Sequence, residues 1–326
     1  MSAMEKAALR CGAMALFWFF LAGPSAAESF PNKPIRLIVP VPPGAGADFV
    51  ARAYAQRLTA TLGQQVVVDN RGGAGGIIAM ESVAKAAPDG YTLIQATIGT
   101  MCIMPFMYAK LPYDVERDYA PVSMTTLNPL LLVVHPSLPV QSVKELIAYG
   151  KANPDRISYA SVGGGSVQHL AGFVFFKQAG VWAVHVPYKG AAPATVDLLA
   201  GQVNTAFSGV GTVAGHLKTG KLRALAITGE RLDAFAGVPS LKESGGPDVQ
   251  MGLWNGIVVP AGTPAAVIRR LNEEIVKAAK SPELNAQLAT QSTSPTSMSP
   301  TEFAKRMRED RARFARIIKE SGVRAD

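Results

Sequence analysis

The sequence predicts an α/β protein with two lobes around a cleft, and three observations predict it. Short β-branched apolar runs alternate with stretches of helical spacing from residue 30 to about 127. The same alternation restarts near residue 157. In both halves a loop of small residues separates a strand from the helix that follows. The chain has 326 residues, 48% hydrophobic and 17% charged, enough to bury two ordinary cores. Its net charge of +8 suits anionic partners. Lys and Arg are scattered, however, with no aromatic-interleaved basic block, so no nucleic-acid partner is expected.

Met1 to Ala27 has the three parts of a secretory signal: Lys6 and Arg10, an apolar run from Gly12 to Ala22, then Gly23-Pro24-Ser25-Ala26-Ala27. The run is too short for an ordinary membrane span, and no later stretch reaches about 18 unbroken apolar residues. A soluble, exported protein cleaved after Ala27 is expected. Cys11 precedes the apolar run, which argues against a lipoprotein, and Cys102 is left as a buried free thiol.

In the first lobe, Ile35 to Val39, Val66 to Val68 and Tyr91 to Ala96 read as strands; Phe49 to Leu62 and Gly76 to Ala87 read as helices. A parallel sheet follows, with ligands expected beyond the carboxyl ends of its strands. Three loops meet there: Pro40 to Asp48, Asp69 to Gly75 and Thr97 to Met101. In the first, Gly44, Ala45, Gly46 and Ala47 keep side chains clear, so N–H groups at the coming helix terminus can approach an anion.

In the second lobe, Ser142-Val143-Lys144-Glu145 is a capping box opening a helix that stops near Asn153-Pro154. Strand Ile157 to Ala160, the loop Ser161 to Ser166 with glycines at 163, 164 and 165, and helix Val167 to Ala179 follow. Strands Val184 to Val186, Val203 to Phe207 and Ala224 to Thr228, with a helix through Ala200, complete the lobe. Crossings between lobes are expected near Asn128 to Val134 and near Trp254 to Val258. Thr263-Pro264 and the capping box Ser299-Pro300-Thr301-Glu302 open later helices. The last helix carries Arg306, Arg308, Arg311, Arg313 and Arg316 and is expected to present a solvated face.

Gly44-Ala45-Gly46 after a strand invites a dinucleotide-binding reading, but Phe49 stands where the third glycine would be, and no P-loop Lys-Ser or Lys-Thr follows. No cofactor is expected. The four histidines, at 135, 169, 185 and 216, have no metal-ligand spacing. A hydrolase would need an activated nucleophile; Ser166 with His169 or His185 offers a pairing but no Gly-x-Ser-x-Gly elbow. The chain is not expected to be an enzyme.

From Pro34 to its end the chain resembles the substrate-binding proteins of tripartite tricarboxylate transporters, the Bug family. The matching stretches are Pro34-Ile35-Arg36, Ile38-Val39-Pro40, Asp69-Asn70-Arg71 with Gly73-Ala74-Gly75-Gly76, and Pro88 to Leu93. Later come His185 to Gly190, Gly201-Gln202-Val203 and Pro260 to Pro264. The resemblance implies an α/β type II periplasmic binding protein: two lobes, a central cleft and two crossover segments. Its expected layout is a leader at 1–27, a first lobe at 28–128 plus 255–326, and a second at 129–254. It also implies a small carboxylate ligand, delivery to the transporter's membrane components, and a monomer; a ligand-presenting sensor partner, or an exported carboxylate-processing enzyme, stands as the alternative.

Carried over by position, the resemblance implies first-lobe ligand residues Val41, Gly44, Ala45 and Gly46, with Thr97 or Thr100. Second-lobe candidates are Ser161, Gly165, Ser166, His169, Ala191 and Ala192. The chain departs from the family at Val41, where an aromatic residue is usual, at Ala45, where a glycine is usual, and at Asn204, where an aspartate is usual. Asp48 reads first as an N-cap or a partner of Arg52. His169 can reach the ligand or pack at the lobe edge, Lys189 can attract a carboxylate but reads first as solvated, and Trp254 can line the cleft but reads first as a packed hinge aromatic.

Overall fold

The computed structural model describes residues 30–229, 231–232 and 235–324, so the leader read at 1–27 lies outside the described residues. Strands β1 (Ile35–Val39), β2 (Val66–Asn70) and β3 (Thr92–Thr97) are parallel in the order β2-β1-β3, each rich in the β-branched residues that pack well on a pleated surface. Antiparallel β9 (Gly252–Pro260) joins β3 and carries the sheet to β4 (Tyr119–Val134).

β4 is 16 residues long and belongs to both lobes. Tyr119 to Pro129 run along β9, whereas Leu130 to Val134 pair with β7 (Thr205–Gly209) on one side and β8 (Arg223–Ile227) on the other. Parallel β5 (Ser158–Ser161) and β6 (Val184–Pro187) extend from β7. Asn128-Pro129, which breaks the apolar run Leu127 to Val134 in the sequence, thus marks a change of partner within one strand. Pro129 has no N–H to give a ladder, and its partner Gly252 permits close approach: a Cβ there would lie 3.0 Å from the Asn128 carbonyl oxygen. The return crossing enters at Gly252, so Trp254 to Val258 already lies in the first-lobe sheet.

The helices are α1 (Gly46–Leu62), α2 (Ile77–Ala84), α3 (Met104–Met107), α4 (Val143–Ala152), α5 (Val167–Ala179), α6 (Ala191–Leu199), α7 (Val210–Lys218), α8 (Ala265–Ala279), α9 (Pro282–Ala289) and α10 (Pro300–Ser321). α1 starts at Gly46, three residues before the expected Phe49, and a π-helical turn, Gly99–Ile103, leads unforeseen into α3. The capping box at α10 forms in full, Ser299 Oγ accepting from Glu302 N–H at 3.2 Å and the Glu302 carboxylate from Ser299 N–H at 2.9 Å. At α4 Ser142 Oγ accepts from Glu145 N–H at 3.2 Å, but the Glu145 carboxylate takes Gln141 N–H at 2.8 Å, so Ser142 is an N-cap without the reciprocal bond. Thr263 does not cap α8; its hydroxyl donates to Pro260 O at 2.8 Å, and Pro264 is the N-cap.

One apolar core lies between the first-lobe sheet and α1, α8 and α9, and another under α6 and α7. A third runs through both lobes, from Met80 and Ile94 past Met124 and Leu130 to Phe175 and Phe207, and α10 closes it with Phe303, Phe314 and Ile317. Cys102 is buried in it; burial pushes its thiol well above the usual range. α10 departs from the expected solvated face. Asp310, 0% exposed, accepts from Trp254 Nε1–H at 3.0 Å and Arg306 Nε–H at 2.8 Å, and pairs with Arg313 at 3.4 Å; Arg311 pairs with Glu116. Only Arg308 and Arg316 of the five arginines are exposed.

Candidate functional site

The loops after β1 and β3 face the glycine loop after β5 across a cleft of about 730 Å³, a size suited to a small molecule. The first-lobe wall is set by how α1 begins. Ala45 is its N-cap and has no side-chain hydrogen bond to offer, and the first helical residues, Gly46 and Ala47, line the cleft. The opening N–H groups of a helix have no partner inside it and carry the positive end of its dipole. This terminus therefore presents donors, and partial positive charge, to the cleft.

Asp48, one turn into α1, holds that terminus in place. It is 3% exposed, and its carboxylate accepts from Gly44 N–H at 2.8 Å, Arg52 Nε–H at 3.0 Å and Asn70 Nδ2–H at 2.8 Å. Asn70 also donates to Val41 O at 3.1 Å, tying the loop after β1 to the end of β2. Burial would raise the Asp48 pKa, but the hydrogen bonds from Arg52, Gly44 and Asn70 outweigh it, and the carboxyl lies below its usual range. Its expected partner Arg52 is present; the N-cap role is not.

Thr97 lines the cleft at the end of β3, and Thr100 lies behind it. Thr97 N–H donates to Thr100 Oγ1 at 3.1 Å, Thr100 N–H to Thr97 Oγ1 at 3.2 Å, and the Thr100 hydroxyl to Thr97 O at 3.1 Å. Thr100, 2% exposed, thus fixes the orientation of Thr97.

In the second lobe Gly163 to Gln168 line the opposite wall. Gly163 (φ 147°) and Gly165 (φ 73°) hold positive φ, which explains the glycine run. Ser166 caps α5, accepting from His169 N–H at 3.2 Å and donating to Gly163 O at 2.7 Å. Gly165 N–H donates to His169 Nδ1 at 3.0 Å. His169 stacks on His185 with centroids 3.6 Å apart and planes 3° from parallel, and His185 Nε2 lies 2.7 Å from Ser161 Oγ. Ser161 Oγ also lies 3.0 Å from Gly163 O and accepts from Gly163 N–H at 3.2 Å, so one hydroxyl ties the glycine loop to His185. Burial lowers the pKa of both imidazoles to about 4, the neighbouring His185 adding to the effect on His169. The stack is neutral at pH 7 and supports the glycine loop. Ser161, 2% exposed, lies beneath the surface as a brace between the glycine loop and His185.

Of the residues carried over from the resemblance, the cleft brings together Val41, Ala45, Gly46, Thr97, Gly165 and Ser166. Gly44 is outside the lining, its N–H held by Asp48, and Thr100, Ser161 and His169 lie behind the surface as supports. Ala191 lines a small separate cavity beside Ser161 and Gln168, and exposed Ala192 lines neither. Sequence reasoning missed Met104, Met107 and Tyr108, which no strand or helix signal places, and Asn128 and Asn255 at the crossings. Trp254, read as a packed aromatic, is 1% exposed and lines the cleft as well. Among the described residues no charged side chain lines this cleft, and no group of three His, Cys, Asp or Glu could hold a metal.

The model for the tripartite tricarboxylate transporter family receptor matches residues 50–323. Protein BugT of Bordetella pertussis is 37% identical over 306 residues, 93% of this chain and 94% of that one. Among solved structures, R. palustris Rpa4515 with adipate is 33% identical at a TM-score of 0.79, over 90% of this chain and 99% of that one. MatC from Rhodopseudomonas palustris with bound malate is 30% identical at 0.74, over 89% and 100%. A two-lobed cleft walled by helix termini and a match over most of the sequence agree: the chain belongs to the tripartite tricarboxylate transporter receptors of the Bug type, a family of solute-binding receptors and not of enzymes.

Proposed function

We propose that this receptor works in the periplasm, captures a small carboxylate between its lobes as a monomer, and hands it to the membrane components of a tripartite tricarboxylate transporter. We take the division as residues 28–128 with 255–326 for one lobe and 129–254 for the other, with Gly252 to Trp254 the return crossing that already pairs in the first-lobe sheet. The observation that carries the reading is the uncapped N-terminus of α1 opening into a cleft whose other wall is the N-terminal turn of α5. Adipate and malate, bound by the two R. palustris relatives, are carboxylates, and the same chemistry suits this cleft. A carboxylate touching both walls favours the closed arrangement of the lobes, and that shape is what the transporter recognises.

The test is calorimetric titration of a carboxylate panel into the mature chain and into Gly46→Asp. A Cβ at Gly46 meets nothing within 4 Å, so the variant folds, but its carboxylate occupies the α1 terminus. Binding weakened at least tenfold in a variant of unchanged thermal stability is the expected result. Unchanged affinity removes α1 from the site.

A further inference from the structure

Strand pairing gives the cleft a polar floor. Thr97 at the end of β3 stands directly opposite Asn255 of β9, and Asn255 stands opposite Thr126 of β4, so these three side chains share one face of the sheet. Two residues on, Asn128 and its partner Leu253 lie on the same face. Thr97, Asn128, Leu253 and Asn255 all line the cleft, whereas the intervening Trp254 turns its indole to Asp310 on α10. Asn255 Nδ2–H donates to the buried Thr126 Oγ1 at 2.9 Å, which fixes the amide and leaves its Oδ1 with no partner among the described residues. The Asn128 amide has none at either end among them. Both asparagines are half-buried and open to the cleft. Gln168 and Thr293 line it as well, but no strand pairing seats them beside Thr97.

When the lobes close over a ligand these amides lose their water, and a polar group buried without a partner weakens the complex. A ligand hydroxyl answers both amides, because it can donate to Asn255 Oδ1 and accept from Asn128 Nδ2–H; an ammonium only donates. Directly opposed residues have Cβ atoms about 5 Å apart, so a carboxylate held at α1 and Thr97 puts its neighbouring carbon beside Asn255. We infer that the receptor selects a 2-hydroxycarboxylate, with Asn255 and Asn128 binding its hydroxyl. The inference rests on the carboxylate-receptor reading and narrows it.

The experiment is calorimetric titration into mature protein freed of copurified ligand by unfolding and refolding, with circular dichroism confirming the fold. The ligands are matched pairs, lactate with propionate, malate with succinate, citrate with tricarballylate and mandelate with phenylacetate, and aspartate as the amino analogue of malate. In the pair that binds most tightly, the hydroxy member is expected to bind at least tenfold tighter than its partner. A smaller preference, or aspartate binding tighter than every hydroxy acid, overturns the inference and leaves the receptor reading standing; no binding by any of them removes both. Asn128→Ala and Asn255→Ala supply a second check. The Asn128 side chain makes no hydrogen bond to the described residues, so its variant folds even if loss of the Thr126 bond unfolds the other. In each folded variant the hydroxy preference is expected to fall at least threefold, with affinity for the hydroxyl-free partner unchanged. A preference that survives in either folded variant, as a merely structural role would leave it, overturns the assignment.

Discussion

Single side chains set the electrostatics of the cleft, and two of them make predictions. The stacked imidazoles of His169 and His185 ionise near pH 4 in the folded chain against about 6.5 in the unfolded one. Between those values the unfolded state binds more protons, so their effect is to lower stability as pH falls from about 6.5 to 4, and to add nothing above 6.5. His169→Asn keeps an acceptor for Gly165 N–H and removes one titration. The fall in melting temperature between pH 6.5 and 4 is therefore expected to be shallower in the variant than in the parent; equal slopes would refute the account. Asp48→Ala removes the acceptor of three hydrogen bonds, and a loss of about 2 kcal/mol in urea denaturation is expected, moderated because Arg52 is half exposed and rehydrates. Ligand affinity should fall with it, since the loop after β1 loses its tie to β2.

At the scale of elements, what matters is how each helix starts. α10 begins with a complete capping box, and Ser299→Ala should cost about 1 kcal/mol, measured by denaturant unfolding, with ligand binding unchanged because Ser299 is outside the cleft. α1 begins on Ala45 with no cap, a weakness in stability that makes sense if the ligand supplies the missing acceptor. The starts of α4 and α10 were legible in the sequence because a cap is local: Ser142 with Glu145 and Ser299 with Glu302 lie within one turn of their partners, whereas α1, with no capping side chain, starts three residues before the expected Phe49. The π-turn and α3 were not, because Gly99 to Met107 carries neither helical spacing of polar and apolar residues nor a capping residue, and its conformation depends on packing under α10.

For the whole molecule, the shared core and α10 decide how the lobes hold together. The core reaching from Met80 to Phe207 crosses the lobe boundary, so the lobes should unfold in one transition. Far-UV circular dichroism and the fluorescence of Trp182 and Trp254 are expected to give coincident urea curves; separated curves would mean independent lobes. Asp310→Ala strands Arg306 and Arg313 and frees the Trp254 indole, and a loss of about 3 kcal/mol is expected in the same measurement.

The sequence alone determined the α/β alternation, the doubled arrangement, the small-residue loops and the family. These are properties of neighbouring residues: hydrophobic period, caps, and glycines that permit positive φ. Only the tertiary structure decided which candidates share one surface. It turned Gly44 toward Asp48, put Thr100, Ser161 and His169 behind the wall, and brought Met104 and Met107 into it. It also stacked His169 on His185 and brought Asp310 to Trp254, 56 positions away. Such contacts follow from which strand pairs with which and in what register, and periodicity does not carry that: the apolar run Leu127 to Val134 with its break at Asn128-Pro129 does not show that one strand exchanges β9 for β7 and β8 after Pro129.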